Sequence, residues 1–336
     1  MKKLLYIGNK LYSHGFNKTS IETLGLFLKQ EGYKVTYTSS KKNQFLRLID
    51  MMFATFISSK RVDYIIIDTY STSSFWYAFF CSQIARFLNA IYIPILRGGD
   101  LPNRLKKNPK LSKLIFNKAL VNVAPSKYLK TEFEKFNINN VIYIPNSVDL
   151  ENYSFKHRKN LLPNILWVRA FDKIYNPKMA INVIEILKEN GIDAKLAMVG
   201  PDKDGSLIST KEYAKNKNIE VTFTGKLSRD EWINLSKEFD FFINTTHFDN
   251  TPVSVIEAMA LGIPVISTNV GGIPYLLTHN INAILVKDNN APEMAKAIID
   301  LLNDNDKVNF ITRNAYQKVQ EFNWKNVKEH WKLLLK

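Results

Sequence analysis

Two kinds of apolar pattern follow each other along nearly the whole chain, one typical of strands and the other typical of helices. Short apolar runs rich in β-branched residues, such as VDYIIIDT at 62–69 and NILWV at 164–168, predict strands that are buried on both faces. Longer stretches with apolar residues at helical spacing lie between such runs. This alternation of strands and helices occurs twice over, and it predicts an α/β protein with two doubly wound parallel sheets.

The stretch FDNTPVSVIEAMALGIPVISTNVGG at 248–272 carries the clearest chemistry. Thr251 and Pro252 predict a helix start there, because Pro is favoured in the first turn and a Thr hydroxyl can accept from an orphan N–H. IPVIST then predicts a buried strand, followed by Gly271–Gly272. A helix N-terminus offers free N–H groups and the positive end of the helix dipole, so we expect an anion here. Glu257 lies too far into the helix to cap it, and we expect it to accept from ligand hydroxyls.

This stretch resembles the signature of the retaining glycosyltransferases of family 4, which have the GT-B fold of two Rossmann-like domains facing each other across a cleft. In that family two acidic residues, E-x7-E, flank a loop and helix, and a GGxPE-like turn follows. Asp249 stands at the first acidic position and Glu257 at the second, and GGIPY at 271–275 matches the turn with Tyr275 in place of Glu. The alternative is an ordinary strand–helix unit with incidental acidic residues.

The resemblance implies roles for these residues in binding a sugar nucleotide. Glu257 would accept from the ribose hydroxyls, and Asp249 would face the transferred sugar. Backbone amides at the helix start would meet the diphosphate. The candidates at this helix start are Thr251, Pro252, Val253 and Ser254.

Arg169 follows the strand 164–168 and matches the Arg of a family pattern in which GR is followed by KG. Its planar fork would bind the diphosphate bidentately, at about 1.5–3 kcal/mol per charged hydrogen bond. The KG is not matched, since Tyr175-Asn176 stands in its place. Lys173 and Lys178 flank the gap, and we prefer Lys173 because it still lies in the loop.

Two turns of the second half are further candidates for donor binding. Gly200 follows a predicted strand at 194–199, and Gly225, Lys226 and Leu227 follow the next one. The family uses backbone atoms of such a turn to hold the base of the nucleotide.

The first half offers weaker candidates on the acceptor side. By the resemblance, Gly15 lies near the donor phosphate and the acceptor, and His14 precedes it. The family often has a His facing the sugar after the strand at 90–96, but this chain has Arg97 there. Asp100 would either orient an acceptor hydroxyl or cap the next turn, and we expect the cap.

The IPNSVD turn at 144–149 looks like the IPNGVD turn that ends the first domain in family 4. We therefore expect an acceptor-binding Rossmann-like domain over 1–150 and a nucleotide-sugar-binding one over 151–321. The amphipathic segment 322–336 resembles the final family helix, which crosses back onto the first domain.

Charge is unevenly placed along the chain. Residues 1–150 carry 22 Lys and Arg against 9 Asp and Glu, whereas residues 151–336 carry 24 against 22. A basic half suggests an anionic membrane surface, lipid phosphate or nucleic acid, although a merely soluble basic surface is the alternative. No helix-turn-helix or RNA-binding signature is present, so we do not expect nucleic acid.

The segment 41–61 has basic residues at its ends and apolar residues between them, and we expect a helix that faces the core. Its apolar residues include Phe45, Leu48, Ile49, Met52, Phe53 and Phe56. The alternative is an interfacial helix that rests on anionic lipid.

Other classes are disfavoured by simple counts. Cys81 is the only cysteine and there is no HExxH or aspartate-pair motif, so we expect no metal and no cofactor beyond the nucleotide sugar. The first half lacks a full GxGxxG, which disfavours a dehydrogenase. The longest apolar run, 75–81, is too short to span a bilayer, and the amino-terminal residues are too few and too polar for a signal peptide. We therefore expect a cytoplasmic protein, with peripheral contact to the inner face of the cell membrane as an open question.

The predicted function is transfer of a hexosyl-type unit, with retention, from a nucleoside diphosphate sugar to an acceptor. A UDP-sugar is the expected donor, and a glycan or lipid-linked acceptor of surface polysaccharide or glycolipid synthesis is suggested by analogy alone. One alternative is a nucleotide-sugar epimerase with the GT-B fold. The other is a non-catalytic module that binds anions or membranes.

Overall fold

The computed structural model describes residues 1–14 and 19–336. The chain divides into two compact units, and the second is a continuous insertion into the first. One unit comprises Met1–Ser147 together with Trp324–Lys336, and the other comprises Val148–Asn323. Over the part of the chain that is described, no helix has both the length and the apolar character needed to cross a bilayer.

The first unit contains a parallel sheet in the order β2-β1-β3-β4-β5-β6. Its strands are β1 (Lys3–Ile7), β2 (Lys34–Thr38), β3 (Tyr64–Thr69), β4 (Tyr92–Leu96), β5 (Asn122–Ala124) and β6 (Val141–Tyr143). Its helices before the second unit are α1 (Ser20–Gln30), α2 (Gln44–Ser58), α3 (Phe75–Phe87), α4 (Leu101–Lys107), α5 (Pro109–Phe116) and α6 (Lys127–Lys135). The strand order reverses between β1 and β3.

The second unit contains a parallel sheet in the order β12-β11-β10-β7-β8-β9. Its strands are β7 (Asn164–Val168), β8 (Lys195–Val199), β9 (Thr222–Gly225), β10 (Phe241–Asn244), β11 (Val265–Thr268) and β12 (Ile284–Val286). Its helices are α7 (Pro177–Glu189), α8 (Ser206–Asn216), α9 (Arg229–Leu235), α10 (Val253–Ala260), α11 (Ile273–Leu276), α12 (Ala291–Leu302) and α13 (Asn305–Val319). Here the order reverses between β7 and β10.

Each sheet is covered on both faces, as the continuous apolar runs of its strands require. In β7, Ile165 and Trp167 point into one core with α7 and α12, whereas Leu166 points into the opposite core with α10. Successive side chains of a strand lie on opposite faces, so one short run supplies both cores. The prediction of two doubly wound parallel sheets is therefore confirmed.

The last helix, α14 (Trp324–Leu334), belongs to the first unit. Its buried residues Val327 and Trp331 pack in the same core as Leu4 and Tyr6 of β1. Lys332 also pairs with Glu31 at 2.8 Å. The carboxyl-terminal segment thus folds with residues from the beginning of the chain.

The expectation that α2 would face the core with its apolar residues is confirmed only for Leu48 and Met52, which are partly buried and pack against the core. Its buried residues are Arg47, Met51 and Thr55. Four of the apolar residues named from the sequence are instead exposed, namely Phe45, Ile49, Phe53 and Phe56. Helical spacing predicts that α2 has one apolar face and one polar face. In the structure, the face that carries Arg47, Met51 and Thr55 is the one that packs inward.

Candidate functional site

The strongest candidates meet where the strand order of the second sheet reverses, which is where open α/β sheets bind ligands. Arg169 follows β7 and Asp249 lies in the loop after β10, and these two strands are neighbours in the sheet. The Arg169 guanidinium forms an ion pair with the Asp249 carboxylate. Tertiary pairing therefore joins two residues that lie eighty positions apart in sequence.

Arg169 also lies over the ring of Tyr175, with its guanidinium carbon 4.2 Å from the ring centroid. Burial lowers the pKa of Arg169, and the neighbouring Tyr175 hydroxyl opposes that shift. Its Nε has no hydrogen-bond partner within the part of the chain that is described. The side chain is thus oriented by stacking and one ion pair, and it retains a free donor.

The loop between Arg169 and α7 explains the departure from the family KG pattern. Tyr175 occupies the Lys position and supplies the ring under Arg169. Asn176 occupies the Gly position and has φ +46°, in the left-handed region where Asn is among the few residues tolerated besides Gly. The backbone turn is therefore kept while its side chains differ.

The structure separates the two candidate lysines. Lys173 is exposed in the 3₁₀ turn after β7, and its backbone N–H donates to Asp204 at 3.1 Å. The Nζ of Lys178 lies 5.4 Å from the centroid of the Tyr213 ring, which belongs to α8. The preference for Lys173 over Lys178 stays a prediction.

Two glycines let the ends of β7, β8 and β9 approach one another. The Gly200 N–H donates to the Gly225 carbonyl at 2.8 Å. A Cβ on Gly200 would lie 1.8 Å from the Arg169 carbonyl oxygen. Gly225 has φ +71° and opens onto unoccupied space, with Lys226 exposed and Leu227 half-buried after it.

The Gly271–Gly272 turn supports the loop that carries Asp249. The Gly272 N–H donates to the Asp249 carbonyl at 2.7 Å. A Cβ on Gly272 would lie 1.9 Å from the Asn250 carbonyl oxygen, and one on Gly271 would lie 2.5 Å from that of Asp249. The glycine pair therefore fixes the position of the loop that carries Asp249.

The helix start differs from the sequence prediction in its cap. α10 begins at Val253, and its N-cap is Pro252, which offers no side-chain acceptor; the predicted capping by Thr251 is not found. The Ser254 hydroxyl is buried and has no hydrogen-bond partner among residues 1–14 and 19–336. The first amides of α10 therefore have no side-chain cap, and the positive end of its dipole faces the loop of Asp249.

Glu257 is 7% exposed and lies in a polar pocket inside an apolar core. Its Oε1 accepts a hydrogen bond from the Tyr153 hydroxyl at 2.5 Å and lies 3.6 Å from Nε of Arg229. Burial raises the pKa of Glu257, although the Tyr153 hydrogen bond and the Arg229 charge act in the opposite direction. The sequence analysis did not identify Tyr153 or Arg229 as partners of Glu257, since neither lies in a recognised motif. The one available signal was the position of Tyr153, four residues after the IPNSVD turn.

Arg97 in the first unit is held by internal contacts. Its Nε pairs with the fully buried Asp68 at 2.8 Å, and its two terminal nitrogens donate to Asn146 at 2.5 Å and to the Tyr6 hydroxyl at 3.3 Å. Burial alone would lower the pKa of Arg97, but Asp68, Tyr6 and Tyr70 together outweigh it and the net pKa is raised. This network favours a structural role that ties the end of β4 to the IPNSVD turn.

The other candidates of the first unit are weakly placed. Asp100 occupies the N-cap position of α4, but its carboxylate accepts from the Asn103 side chain at 2.6 Å and not from the helix amides. His14 is exposed, and its Nε2 lies 2.9 Å from the Ser40 carbonyl oxygen. Gly15 lies outside the described residues.

No group of three or more His, Cys, Asp or Glu side chains suited to a metal ion is found within residues 1–14 and 19–336.

Comparison with known proteins assigns the family. The model of the glycosyl transferases group 1 family matches residues 149–318, which is half of the chain. The chain therefore belongs to this family and is by class a glycosyltransferase enzyme with the GT-B fold.

Curated relatives are distant. An uncharacterized glycosyltransferase of Methanocaldococcus jannaschii is 25% identical over 70% of this chain. The match with UDP-Gal:alpha-D-GlcNAc-diphosphoundecaprenol alpha-1,3-galactosyltransferase of Escherichia coli is 23% identical over 52% of this chain and 48% of that protein. The chain spans 66%, 60% and 35% of the lengths of three archaeal relatives.

Solved structures share the whole fold. Sucrose-phosphate synthase from Thermosynechococcus elongatus superposes with a TM-score of 0.80 at 15% identity, covering 99% of this chain and 98% of that one. HepE from Anabaena, in complex with UDP, has a TM-score of 0.78 at 16% identity, covering 100% and 99%.

Proposed function

We propose that the chain transfers a sugar from a nucleoside diphosphate sugar to an acceptor, with retention at the anomeric carbon. The observation that carries the proposal is the Arg169–Asp249 pair beside the uncapped start of α10, at the strand reversal of the second sheet. Arg169 supplies a charged fork, and the helix supplies amides and a positive dipole end. Together they match a dianionic leaving group.

In this proposal the second unit binds the donor and the first binds the acceptor. The diphosphate contacts Arg169, Lys173 and the amides of α10, which stabilise the leaving group electrostatically without a metal. Glu257 accepts from the ribose hydroxyls, and the turn at 225–227 holds the base. A UDP-sugar donor is supported by the related fold of HepE, which was solved with UDP and with UDP-glucose.

Donor binding would exchange the partner of Arg169. The guanidinium pairs with Asp249 in the structure, and the incoming diphosphate would take its place and leave Asp249 to face the sugar. The anomeric carbon–phosphate oxygen bond then breaks while the acceptor oxygen attacks from the same face. The leaving phosphate oxygen takes the acceptor's proton, so no further base is required.

The proposed acceptor is a glycan or lipid-linked glycan of surface polysaccharide or glycolipid synthesis. One distant relative is named for transfer to a diphosphoundecaprenol-linked sugar. The excess of Lys and Arg in residues 1–150 fits a cytoplasmic protein that contacts an anionic membrane surface peripherally.

A donor screen tests the function directly. Thermal shift with UDP-, GDP-, ADP- and dTDP-sugars should raise the melting midpoint with one nucleotide series, because a ligand that binds only the folded state stabilises it. Product analysis with the stabilising donor should then show acceptor-dependent turnover. Turnover of the donor sugar to its epimer without acceptor would favour the epimerase instead, and the absence of any stabilising nucleotide would refute donor binding.

Glu257→Gln should weaken nucleotide binding by about 10- to 100-fold at neutral pH, the cost of losing a charged hydrogen bond to the ribose. The pKa of Glu257 is raised by burial, so the carboxylate gains a proton at a higher pH than an ordinary Glu. Wild-type affinity should therefore weaken as the pH falls through that raised pKa, and the variant should lack this component. Calorimetry with UDP across pH measures both effects.

The 2′,3′-dideoxy nucleotide is the matched control, because it lacks the hydroxyls that Glu257 is proposed to bind. Wild type and variant should bind it equally, and an undiminished preference for Glu over Gln would remove Glu257 from the ribose site.

The pH dependence of stability gives a second test of the raised pKa of Glu257. Since the folded-state pKa lies above the unfolded one, the free energy of unfolding should fall as pH rises between them, and Glu257→Gln should remove that slope.

A further inference from the structure

The helix layer formed by α2 and α3 has an outer surface that contradicts the usual amphipathic arrangement. A helix on a globular protein turns its apolar stripe inward. In α2 the stripe at 45, 46, 49, 53, 56 and 57 is exposed, with Phe53 at 63% and Phe56 at 60% of their full exposure. Exposed apolar residues arranged as one continuous stripe mark an interaction surface.

The inner side of α2 combines the buried Met51 with polar side chains that have hydrogen-bond partners. The Arg47 side chain donates to the carbonyls of Lys41 at 2.9 Å and Lys42 at 3.2 Å. Thr55 donates to the Met51 carbonyl and Ser59 to the Thr55 carbonyl, both at 2.6 Å. The polar side chains on the inner side of α2 therefore need no further partner, and the exposed apolar stripe lies on the opposite side.

The neighbouring helix α3 extends the same surface. Met51 of α2 and Tyr77, Ala78 and Cys81 of α3 are buried in one core on the same side of the sheet, so the outer sides of both helices point away from it in the same direction. α3 contributes Trp76, Phe80 and Phe87 to the outside, the last at 84% exposure. We define the outer apolar face as Phe45, Leu46, Ile49, Phe53, Phe56, Ile57, Trp76, Phe80 and Phe87.

The margin of this face is basic. Exposed cations precede α2, follow it and lie on the adjacent helix α5: Lys41, Lys42, Lys60, Arg61, Lys110 and Lys113. Within α2, α3 and α5 the single acidic residue is Asp50, which accepts from the Thr38 hydroxyl at 3.1 Å. Aromatic residues surrounded by Lys and Arg are the composition of a surface that rests in the interface of an anionic bilayer.

A groove of about 320 Å³ opens on the same face at the first turns of α2 and α3. Phe45, Leu48, Trp76 and Phe80 contribute its apolar lining. Trp76 packs edge-on against Phe79, with ring centroids 6.2 Å apart. Aromatic side chains with one polar atom, as in Trp, favour the boundary between lipid and water.

We propose that the outer apolar face is a docking surface for an anionic lipid bilayer, entering the interface with its Phe and Trp side chains while its basic margin contacts lipid headgroups. The inference deepens the peripheral location in the proposed function, and it rests on that location but not on sugar transfer. It commits to a bilayer because the basic margin is complementary to anionic lipid, whereas two copies of this face would place like charges against each other.

Flotation with vesicles of phosphatidylcholine and phosphatidylglycerol tests the docking. The wild-type chain should float with mixed vesicles at low salt, float less at raised salt, and remain unbound with phosphatidylcholine alone. Phe53→Ser with Phe56→Ser should lower the partition coefficient by about tenfold or more, since each buried Phe side chain contributes strongly to transfer from water. Lys41→Gln with Lys42→Gln should lower it by about 30-fold, since each Lys near the surface contributes about 1 kcal/mol.

A matched control lies in the second unit, where Ile208 and Phe310 are also exposed, at 62% and 55%. Ile208→Ser with Phe310→Ser should float like wild type, and all variants should keep the wild-type melting midpoint. The docking would be overturned by an equal loss of flotation in the control variant or by flotation that does not depend on salt. It would also be overturned if the wild-type chain never floats and instead forms a dimer that Phe53→Ser with Phe56→Ser breaks. A chain that binds a sugar nucleotide and fails to float refutes only this surface, whereas one that floats and binds no nucleotide refutes only the proposed function.

Discussion

Arg169→Ala should lower kcat/KM for sugar transfer by about 10²- to 10³-fold, the usual cost of removing one preorganised charge-stabilising group. Arg169 is the cation that the fold holds at the strand reversal of the second sheet, stacked on Tyr175 and paired with Asp249. Its loss leaves the developing diphosphate charge to Lys173 and the α10 amides. Steady-state kinetics with the donor found in the screen measures the effect.

Three comparisons separate this role from damage to the fold. Arg169→Lys keeps the charge but loses the bidentate fork, and we expect an intermediate rate. Arg313→Ala removes an exposed Arg from α13 of the same unit and should leave kcat/KM unchanged. Circular dichroism should show native secondary structure in all three variants; a folded Arg169→Ala enzyme with wild-type turnover would remove the diphosphate role from this residue.

Gly272→Ala should nearly abolish donor binding by moving the loop that carries Asp249. The residue has φ −86°, so the backbone accepts an Ala without strain. The added Cβ would, however, lie 1.9 Å from the Asn250 carbonyl oxygen, which is backbone and must shift. Such overpacking costs about 1–3 kcal/mol, and the displaced loop would move the start of α10 at Val253, whose amides are proposed to contact the diphosphate. Thermal unfolding and nucleotide titration report the two consequences separately.

Gly191→Ala is the control for a glycine in the same unit. Gly191 lies between α7 and β8, has φ +74°, and has open space where a Cβ would stand. Its substitution should cost about 1–2 kcal/mol through the left-handed backbone and leave nucleotide affinity at the wild-type value. If Gly272→Ala also bound nucleotide normally, the turn would not be positioning the site.

The helix α2 shows where sequence periodicity stops being informative. The spacing of Phe45, Ile49, Phe53 and Phe56 predicted a helix correctly, and α2 covers Gln44–Ser58. The helix packs against β1 and β2, and on that side Met51 and Thr55 are buried while the Phe side chains remain outside. Hydrophobicity alone favours the opposite orientation, so only the packed structure reveals the exposed stripe.

Local hydrogen bonding was predictable in some caps and not in others. Ser126 is a residue type favoured at helix starts, and its hydroxyl caps α6 by accepting from the Leu129 N–H at 3.1 Å. Thr251 was expected to cap, but α10 starts one residue later, at Val253. The Gly271–Gly272 turn holds the preceding loop through contacts made across more than twenty residues, and a local sequence rule does not include those contacts.

The sequence by itself determined the alternation of strands and helices, the two doubly wound sheets and the resemblance around 248–272, because these follow from residue periodicity and short motifs. It also named Arg169, Asp249 and Glu257 as candidates. Only the tertiary structure decided their partners: Asp249 pairs with Arg169, and Glu257 accepts from Tyr153. The physical reason is that the order of strands in a sheet brings residues that are distant in sequence to one edge. The energy of a buried polar group also depends on its partners, and a local sequence pattern does not show which distant residues those are.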